Sequence, residues 1–204
     1  MALRQLQIDV DPDQPLPDAI EHWLGACQAR IDLYWDSFKE KPLPQYIECD
    51  FRVVAKAIES CVQNDWLDGR LFVEWGCGFG VVAGVAAAFG LDAIGIEAEE
   101  FLCDEARKLL AKSNLPAEIW QGNFLPGGAR RLAEDTDPLI SLSHDEPPAY
   151  AKYDMSIEDF AMVYVYPWPG EEHFLRLVFD RYARSGAVLL FYRGPYHVEV
   201  YRKS

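Results

Sequence analysis

Between residues 17 and 63 the apolar positions recur every three or four residues. In "DAIEHWLGACQARIDLYWDSF" they are Ile20, Trp23, Leu24, Cys27, Ile31, Tyr34 and Trp35, a single stripe along a helix. The proline-bearing "KPLPQ" breaks that pattern. Asp50 then stands where an N-cap is needed for a second helix, "FRVVAKAIESCVQND", with Val53, Val54, Ala57, Ile58 and Cys61 on one side. From Leu71 the rhythm changes. "LFVEW", "AIGIE", "AEIWQ", "FAMVYVY" and "AVLLFYR" are short apolar runs that predict strands, separated by helical patterns over 79–90, 98–113 and 171–184. Strands alternating with amphipathic helices predict an α/β fold: three layers, a mostly parallel twisted sheet with helices on both faces, preceded by two N-terminal helices.

"GPY" predicts a turn into a last strand, "HVEVYRK", antiparallel to the one before it. Only about ten residues follow the fifth parallel strand, so the C-terminal end is shortened and the sheet is expected to have fewer than seven strands. Residues 1–16, polar and proline-bearing, predict an arm over the surface. The 204 residues are expected to form one domain, with the arm over 1–16, N-terminal helices over 17–69 and a core over 70–204. Residues 125–158 carry no sustained periodicity beyond a short helix around 128–134, and predict a long loop across the ligand edge of the sheet.

Charge narrows the partners. The chain has 19 Lys plus Arg against 33 Asp plus Glu, a formal net charge of −14, and such a field disfavours a nucleic-acid partner. The segment from Ala161 onward is locally basic, with Arg176, Arg181, Arg184, Arg193, Arg202 and Lys203. Five cysteines without a CxxC pair, and four histidines (His22, His144, His173, His197) without metal spacing, suggest neither a zinc site nor a redox dithiol. With no signal-peptide core and no apolar run near the ~20 residues of a membrane span, a soluble cytoplasmic protein is expected.

The chemistry concentrates in "LFVEWGCGFGVVAGVAAAFGLDAIGIEAEE", where Gly76, Gly78 and Gly80 follow one apolar run and Glu97 closes the next. In an open parallel sheet, glycines at a strand's carboxyl end let the backbone turn tightly against a ligand, and a carboxylate ending the next strand suits a ribose. A P-loop is excluded, because no lysine follows the glycines. The dinucleotide fingerprint fails from Gly76, where Val81 occupies its last position; from Gly78 it meets Ala83, a tolerated residue. An adenosine without a pyrophosphate is the remaining candidate.

"FVEWGCGFG" resembles the ExGxGxG signature of class I S-adenosylmethionine-dependent methyltransferases, over about residues 46–204. The resemblance implies a Rossmann-like core with S-adenosyl-L-methionine as cofactor. Glu74 would hold the amino end of the methionine moiety, with Gly76, Cys77, Gly78 and Gly80 forming the loop. Glu97, followed by Ala98, would take the ribose. "WQGNF" resembles the family's third-strand end, so Gly122, Asn123 and Phe124 would border the adenine, with Asn123 replacing the usual Asp. Cys77 is a small spacer, since nothing cationic is evident beside it.

After the fourth strand the family's nitrogen methylators often carry [DN]PP[YFW]; this chain has Tyr166, Pro167, Trp168 and Pro169, then Glu171 and Glu172. The prolines stiffen the turn. Methyl transfer needs an aligned nucleophile and one acceptor for its proton, and Tyr166, Trp168 and Glu171 are the candidates. The acids also suit a helix N-terminus without any catalytic part. "QYIECDFRVV" resembles a segment of bacterial methyltransferase-like proteins of unassigned substrate, which places Tyr46 and Asp50 near the methyl group. His144 with Asp145, in the long loop, is a further candidate base. The expected activity is methyl transfer to a small-molecule or protein nucleophile, an amine such as a lysine side chain. The departure at the fourth strand leaves open a non-catalytic interaction protein, and the Gly78 register leaves open a nicotinamide-dependent oxidoreductase.

Overall fold

The computed structural model describes residues 3–37, 46–133, 146–195 and 197–204. Helix α1 spans Asp18–Ser37 and buries Ile20, Trp23, Cys27, Ile31 and Tyr34, the stripe expected from their spacing. Helix α2 spans Phe51–Gln63. The Asp50 carboxylate accepts from the backbone N–H of Arg52 at 3.1 Å and of Val53 at 3.2 Å, satisfying amides that the first turn leaves without partners.

Strands and helices then alternate as β2 (Leu71–Trp75), α3 (Val81–Ala88), β3 (Asp92–Glu97), α4 (Glu100–Ser113) and β4 (Glu118–Gln121). The second half is β5 (Met162–Val165), α5 (Glu172–Tyr182), β6 (Val188–Gly194) and β7 (His197–Lys203). The strand β1 (Leu3–Leu6) completes one sheet of order β1-β7-β6-β5-β2-β3-β4. Strands β2 to β6 run parallel, and β7 returns antiparallel to β6.

The sheet has seven strands, not fewer. Its C-terminal end is short as expected, but the arm at residues 1–16 supplies the missing strand: Leu3 pairs with Lys203 and Leu6 with Val200, antiparallel to β7. Four residues, "LRQL", are too few to show a period, so only the edge they meet reveals them as a strand.

Residues alternate across the sheet. Phe72 packs with α1 to α4, while Val73 and Trp75 pack on the opposite side with α5 and the loop before β5. Helices therefore cover both faces. The chain steps outward from β2 to β4, then returns to the other side of β2 as β5. That reversal sets a crevice at the carboxyl ends of β2 and β5, where open α/β sheets bind ligands. No helix among the described residues is long and apolar enough to cross a membrane.

Candidate functional site

The turn from β2 into α3 is built on three left-handed glycines, with φ of 71° at Gly76, 53° at Gly78 and 70° at Gly80. Side-chain-bearing residues rarely adopt these angles. A Cβ on Gly78 would also lie 2.7 Å from the ring of Tyr46. The amides of Gly76 and Cys77 donate to Ile96 O at 2.9 and 3.0 Å, tying the loop to β3. Cys77 packs down onto β3, where Gly95 leaves the space: a Cβ there would sit 2.7 Å from its Sγ. Burial pushes the Cys77 thiol well above its ordinary range, which suits a spacer and not a thiolate.

Two carboxylates flank this loop. Glu74 is buried at the end of β2, and its Oε2 accepts from Ala83 N, in the first turn of α3, at 2.8 Å. Glu97 Oε2 accepts from Gly78 N at 2.8 Å, and its Oε1 accepts from Ala98 N at 2.8 Å and Glu99 N at 3.0 Å. Burial raises the pKa of both: Glu74 well above its ordinary value, with one backbone amide opposing, and Glu97 less far, with three amides opposing. Among the described residues neither forms an ion pair.

A cavity of about 570 Å³ opens between the glycine loop, residues 46–51 and the turn 166–169. Of the expected site residues it is lined by Glu74, Gly76, Cys77, Gly78, Glu97 and Phe124, and also by Tyr46, Tyr166, Trp168 and Glu171; Asp50 does not line it. Phe124 stacks on Trp75, with centroids 5.4 Å apart and planes 14° apart. Tyr166 meets Tyr192 edge to face at 4.8 Å. Glu171 is buried; its Oε2 accepts from Trp168 N at 3.1 Å, and its Oε1 has no partner. Burial, with Glu172 adding repulsion, pushes Glu171 up to about 7 against the single opposing amide. Glu172 is different: it pairs with Arg193 at 2.8 Å and accepts from Gly170 N at 3.0 Å.

Gly80, Ala98, Gly122 and Asn123 do not line the cavity. Gly80 is the N-cap of α3, and Ala98 contributes its amide to Glu97. Asn123 is buried, its Oδ1 accepting from Leu125 N at 2.8 Å, while its backbone bonds Pro147 O and Ala149 N. Gly122, with φ of 149°, lets that chain pass: a Cβ there would lie 2.9 Å from Pro147 O. Gly122 and Asn123 thus anchor the described part of the long loop beside the site. Tyr150 completes that anchor by accepting from Trp75 Nε1 at 2.8 Å. His144 and Asp145 lie outside the described residues.

Several lining residues were not among the expected candidates: Cys49, Phe51, Tyr164, Tyr192 and Arg193. The two-residue spacing of Tyr164 and Tyr166 carried the signal, because in a strand it puts both on one face. Tyr164 is level with Glu74 across the β2–β5 pairing.

No protein-family model matches the chain, and no curated protein matches it in sequence. Solved structures do resemble it. The O-methyltransferase from Bacillus cereus, in complex with S-adenosylhomocysteine, is similar at 19% identity and a TM-score of 0.50, over 87% of this chain and 66% of that one. An RNA methyltransferase from Salinibacter ruber, also with S-adenosyl-L-homocysteine, aligns at 18% identity and a TM-score of 0.47, over 72% of this chain and 88% of that one. A putative O-methyltransferase from Klebsiella pneumoniae gives 15%, 0.47, 87% and 66% in the same order. The chain thus spans about two thirds of the length of these two O-methyltransferases. Its fold is the three-layer Rossmann-like fold of S-adenosylmethionine-dependent methyltransferases.

Proposed function

We propose that the protein is a methyltransferase that uses S-adenosyl-L-methionine to methylate a small molecule or a protein side chain, at an amine. The observation that carries this reading is the left-handed glycine loop flanked by buried Glu74 and half-buried Glu97, neither in an ion pair among the described residues, with both carboxylates, Gly76 and Gly78 lining one cavity at the sheet's switch point. These residues fit the cofactor. Glu74, held by burial toward its neutral form, gains a reason to ionise when an ammonium arrives. Glu97 uses three acceptor sites on backbone amides and keeps a lone pair on Oε2 for a ribose hydroxyl. Phe124, backed by Trp75, offers an aromatic face to the adenine.

When bound, S-adenosylmethionine supplies a methyl group on a sulfonium, which a neutral nucleophile can take. Tyr166 and Trp168 wall the acceptor end, and Glu171 stands there as acceptor for the nucleophile's proton. A carboxylate near 7 suits that task better than an ordinary one, because its proton affinity is nearer that of the amine it serves. The net charge of −14 favours an acceptor other than nucleic acid. Five cysteines without a disulfide favour a reducing compartment, the cytoplasm.

The nicotinamide reading meets a physical obstacle. A pyrophosphate there would need free amides at the start of α3, but Glu74 holds the Ala83 amide and adds a carboxylate beside it. Calorimetry with S-adenosylmethionine, S-adenosylhomocysteine, NAD and NADP tests the proposal. Binding of the first pair alone is expected; binding of a nicotinamide dinucleotide alone would sink it.

A further inference from the structure

Residues 46–50 belong to no helix or strand, and among the described residues 46–49 make no backbone–backbone hydrogen bond. Yet Tyr46, Ile47, Cys49 and Phe51 line the cavity together with the glycine loop and residues of β5 and β6. Segments with few backbone hydrogen bonds open most easily. The side chains that hold this strap therefore decide the shape of the cavity.

Glu48 lies within the strap but does not line the cavity. Its carboxylate turns to α1, where Oε1 accepts from Trp35 Nε1 at 2.7 Å and Oε2 from Gln28 Nε2 at 3.2 Å. A bond from an indole N–H to a charged acceptor is stronger than one between neutral groups. The Trp35 ring also packs on Tyr46, with centroids 5.9 Å apart. Tyr46 in turn meets Phe79 edge to face at 5.0 Å and fills the space beside Gly78, where a Cβ would lie 2.7 Å from its ring. The Gly78 amide is the one that donates to Glu97. Contacts thus run without a break from Glu48 through Trp35 and Tyr46 to the glycine loop and the carboxylate assigned to the ribose.

We propose that Glu48 is a positioning residue: its bond to Trp35 latches residues 46–51 onto α1 and holds Tyr46 against the glycine loop as a wall of the cofactor site. The inference rests on the methyltransferase reading and deepens it, since Glu48 acts through Tyr46 and touches neither cofactor nor acceptor. A binding site is only as well formed as the residues that support its lining. With the latch broken, the wall leaves Gly78 and a bound cofactor departs sooner. Helix α1 thereby becomes part of the site, because it carries the donor that fixes the strap.

Cys49 reports on the strap without any cofactor. It is half-buried with its thiol pushed up by burial, so alkylation is slow while the strap is in place. Cys27, Cys61 and Cys103 are buried away from the cavity and report on global opening. The experiment labels the full chain with N-ethylmaleimide, follows each cysteine by peptide mass spectrometry, and measures dissociation of labelled S-adenosylhomocysteine. Glu48→Ala is expected to speed Cys49 labelling and S-adenosylhomocysteine dissociation by about tenfold or more each, with the three core cysteines within about twofold of wild type. Glu48→Gln keeps an oxygen for Trp35 and should stay within about threefold of wild type in both. Trp35→Phe breaks the same bond without touching the strap, so the double variant should go no more than about twofold beyond Glu48→Ala. The proposal is overturned if Cys49 ignores Glu48→Ala, if the core cysteines accelerate in parallel with it, or if Glu48→Gln behaves as Glu48→Ala. It is equally overturned if Cys49 opens while S-adenosylhomocysteine leaves at the wild-type rate. Failure of the wild type to bind S-adenosylhomocysteine would instead overturn the methyltransferase reading, and the labelling rates would still decide the latch.

Discussion

The carboxylate of Glu74 and the amide of Ala83 are joined by a 2.8 Å hydrogen bond that fastens the end of β2 to the first turn of α3. Gly80, the N-cap, has no side chain to offer, so Glu74 caps the helix from outside it. One residue therefore does two jobs, holding a helix end and facing the cavity.

Those jobs can be separated by substitution. Glu74→Ala removes the cap acceptor and should cost about 0.5–2 kcal/mol of stability in urea denaturation. Glu74→Gln keeps an acceptor oxygen and removes the charge. Because burial raises the folded pKa of Glu74, ionising it destabilises the fold, and stability falls as pH rises above 4.5 toward that folded pKa. The Gln variant should lack this component of the fall and be at least as stable as wild type at pH 8, yet bind S-adenosylmethionine at least about tenfold more weakly, the loss expected for one charged hydrogen bond. Calorimetry and urea titration of the same samples check both halves.

Glu97 makes a second prediction. Its carboxylate collects three backbone amides, including Gly78 in the loop, so it arranges the loop as well as presenting an oxygen to a ribose. Glu97→Ala should lower S-adenosylhomocysteine affinity by about tenfold or more, with the fold retained by circular dichroism. Unchanged affinity in a folded variant would remove Glu97 from the cofactor site.

The order of the elements was legible because the period changes at Leu71, from helical stripes to short apolar runs, and each run became a strand. The cofactor end was legible because Glu74, the glycines and Glu97 lie within a single β2–α3–β3 unit, where sequence spacing nearly fixes spatial arrangement. The acceptor end was less so. Tyr46 was named from the segment before α2, but Tyr164 and Arg193 come from β5 and β6, and the β2–β5–β6 pairing is what brings those two to the cavity. Asn123 carried a site-like signal but takes up Leu125 N at a turn. A short polar side chain after glycine fits either use, and residue type alone does not choose between them.

Gly84 tests the packing of the N-terminal helices on the core. It lies inside α3, where Gly→Ala ordinarily gains about 1 kcal/mol. Here a Cβ would sit 2.3 Å from the Trp23 ring, which also donates from Nε1 to Val81 O at 2.8 Å. Gly84→Ala should therefore destabilise the protein by about 1–3 kcal/mol despite the better helix propensity. The penalty should shrink in a Trp23→Phe background, a coupling that a double-mutant cycle in urea measures directly.

The pH dependence of Glu171 has a definite sign. Burial raises its folded pKa from 4.5 to about 7, so the folded state holds a proton that the unfolded chain has already lost between those values. Stability from this group is complete below pH 4.5 and is lost as pH rises through 7. Thermal denaturation of wild type between pH 5.5 and 8 should show a decline that Glu171→Gln reduces. Glu74 and Glu97 shift in the same direction, so the variant flattens the profile only in part.

Glu171 and Glu172 are neighbours in sequence but not equivalent in the fold, and salt should tell them apart. Glu171 is buried on the cavity's lining with one oxygen unpartnered, whereas Glu172 is spent on Arg193 and is partly exposed. Glu172→Gln would leave Arg193 with Glu199 alone, at 3.7 Å, and the loss of one negative charge at the mouth would weaken attraction of a cationic acceptor over a distance. The resulting fall in kcat/KM for an amine should shrink to about twofold or less by 0.5 M salt, where the screening length is only a few ångströms. Glu171→Gln removes a contact inside a water-poor site, so its loss, about tenfold or more, should persist at the same salt. Initial rates for both variants across an ionic-strength series decide this. Parallel salt curves for the two would mean that both acids act only through the field at the mouth, and that Glu171 touches neither the acceptor nor its proton.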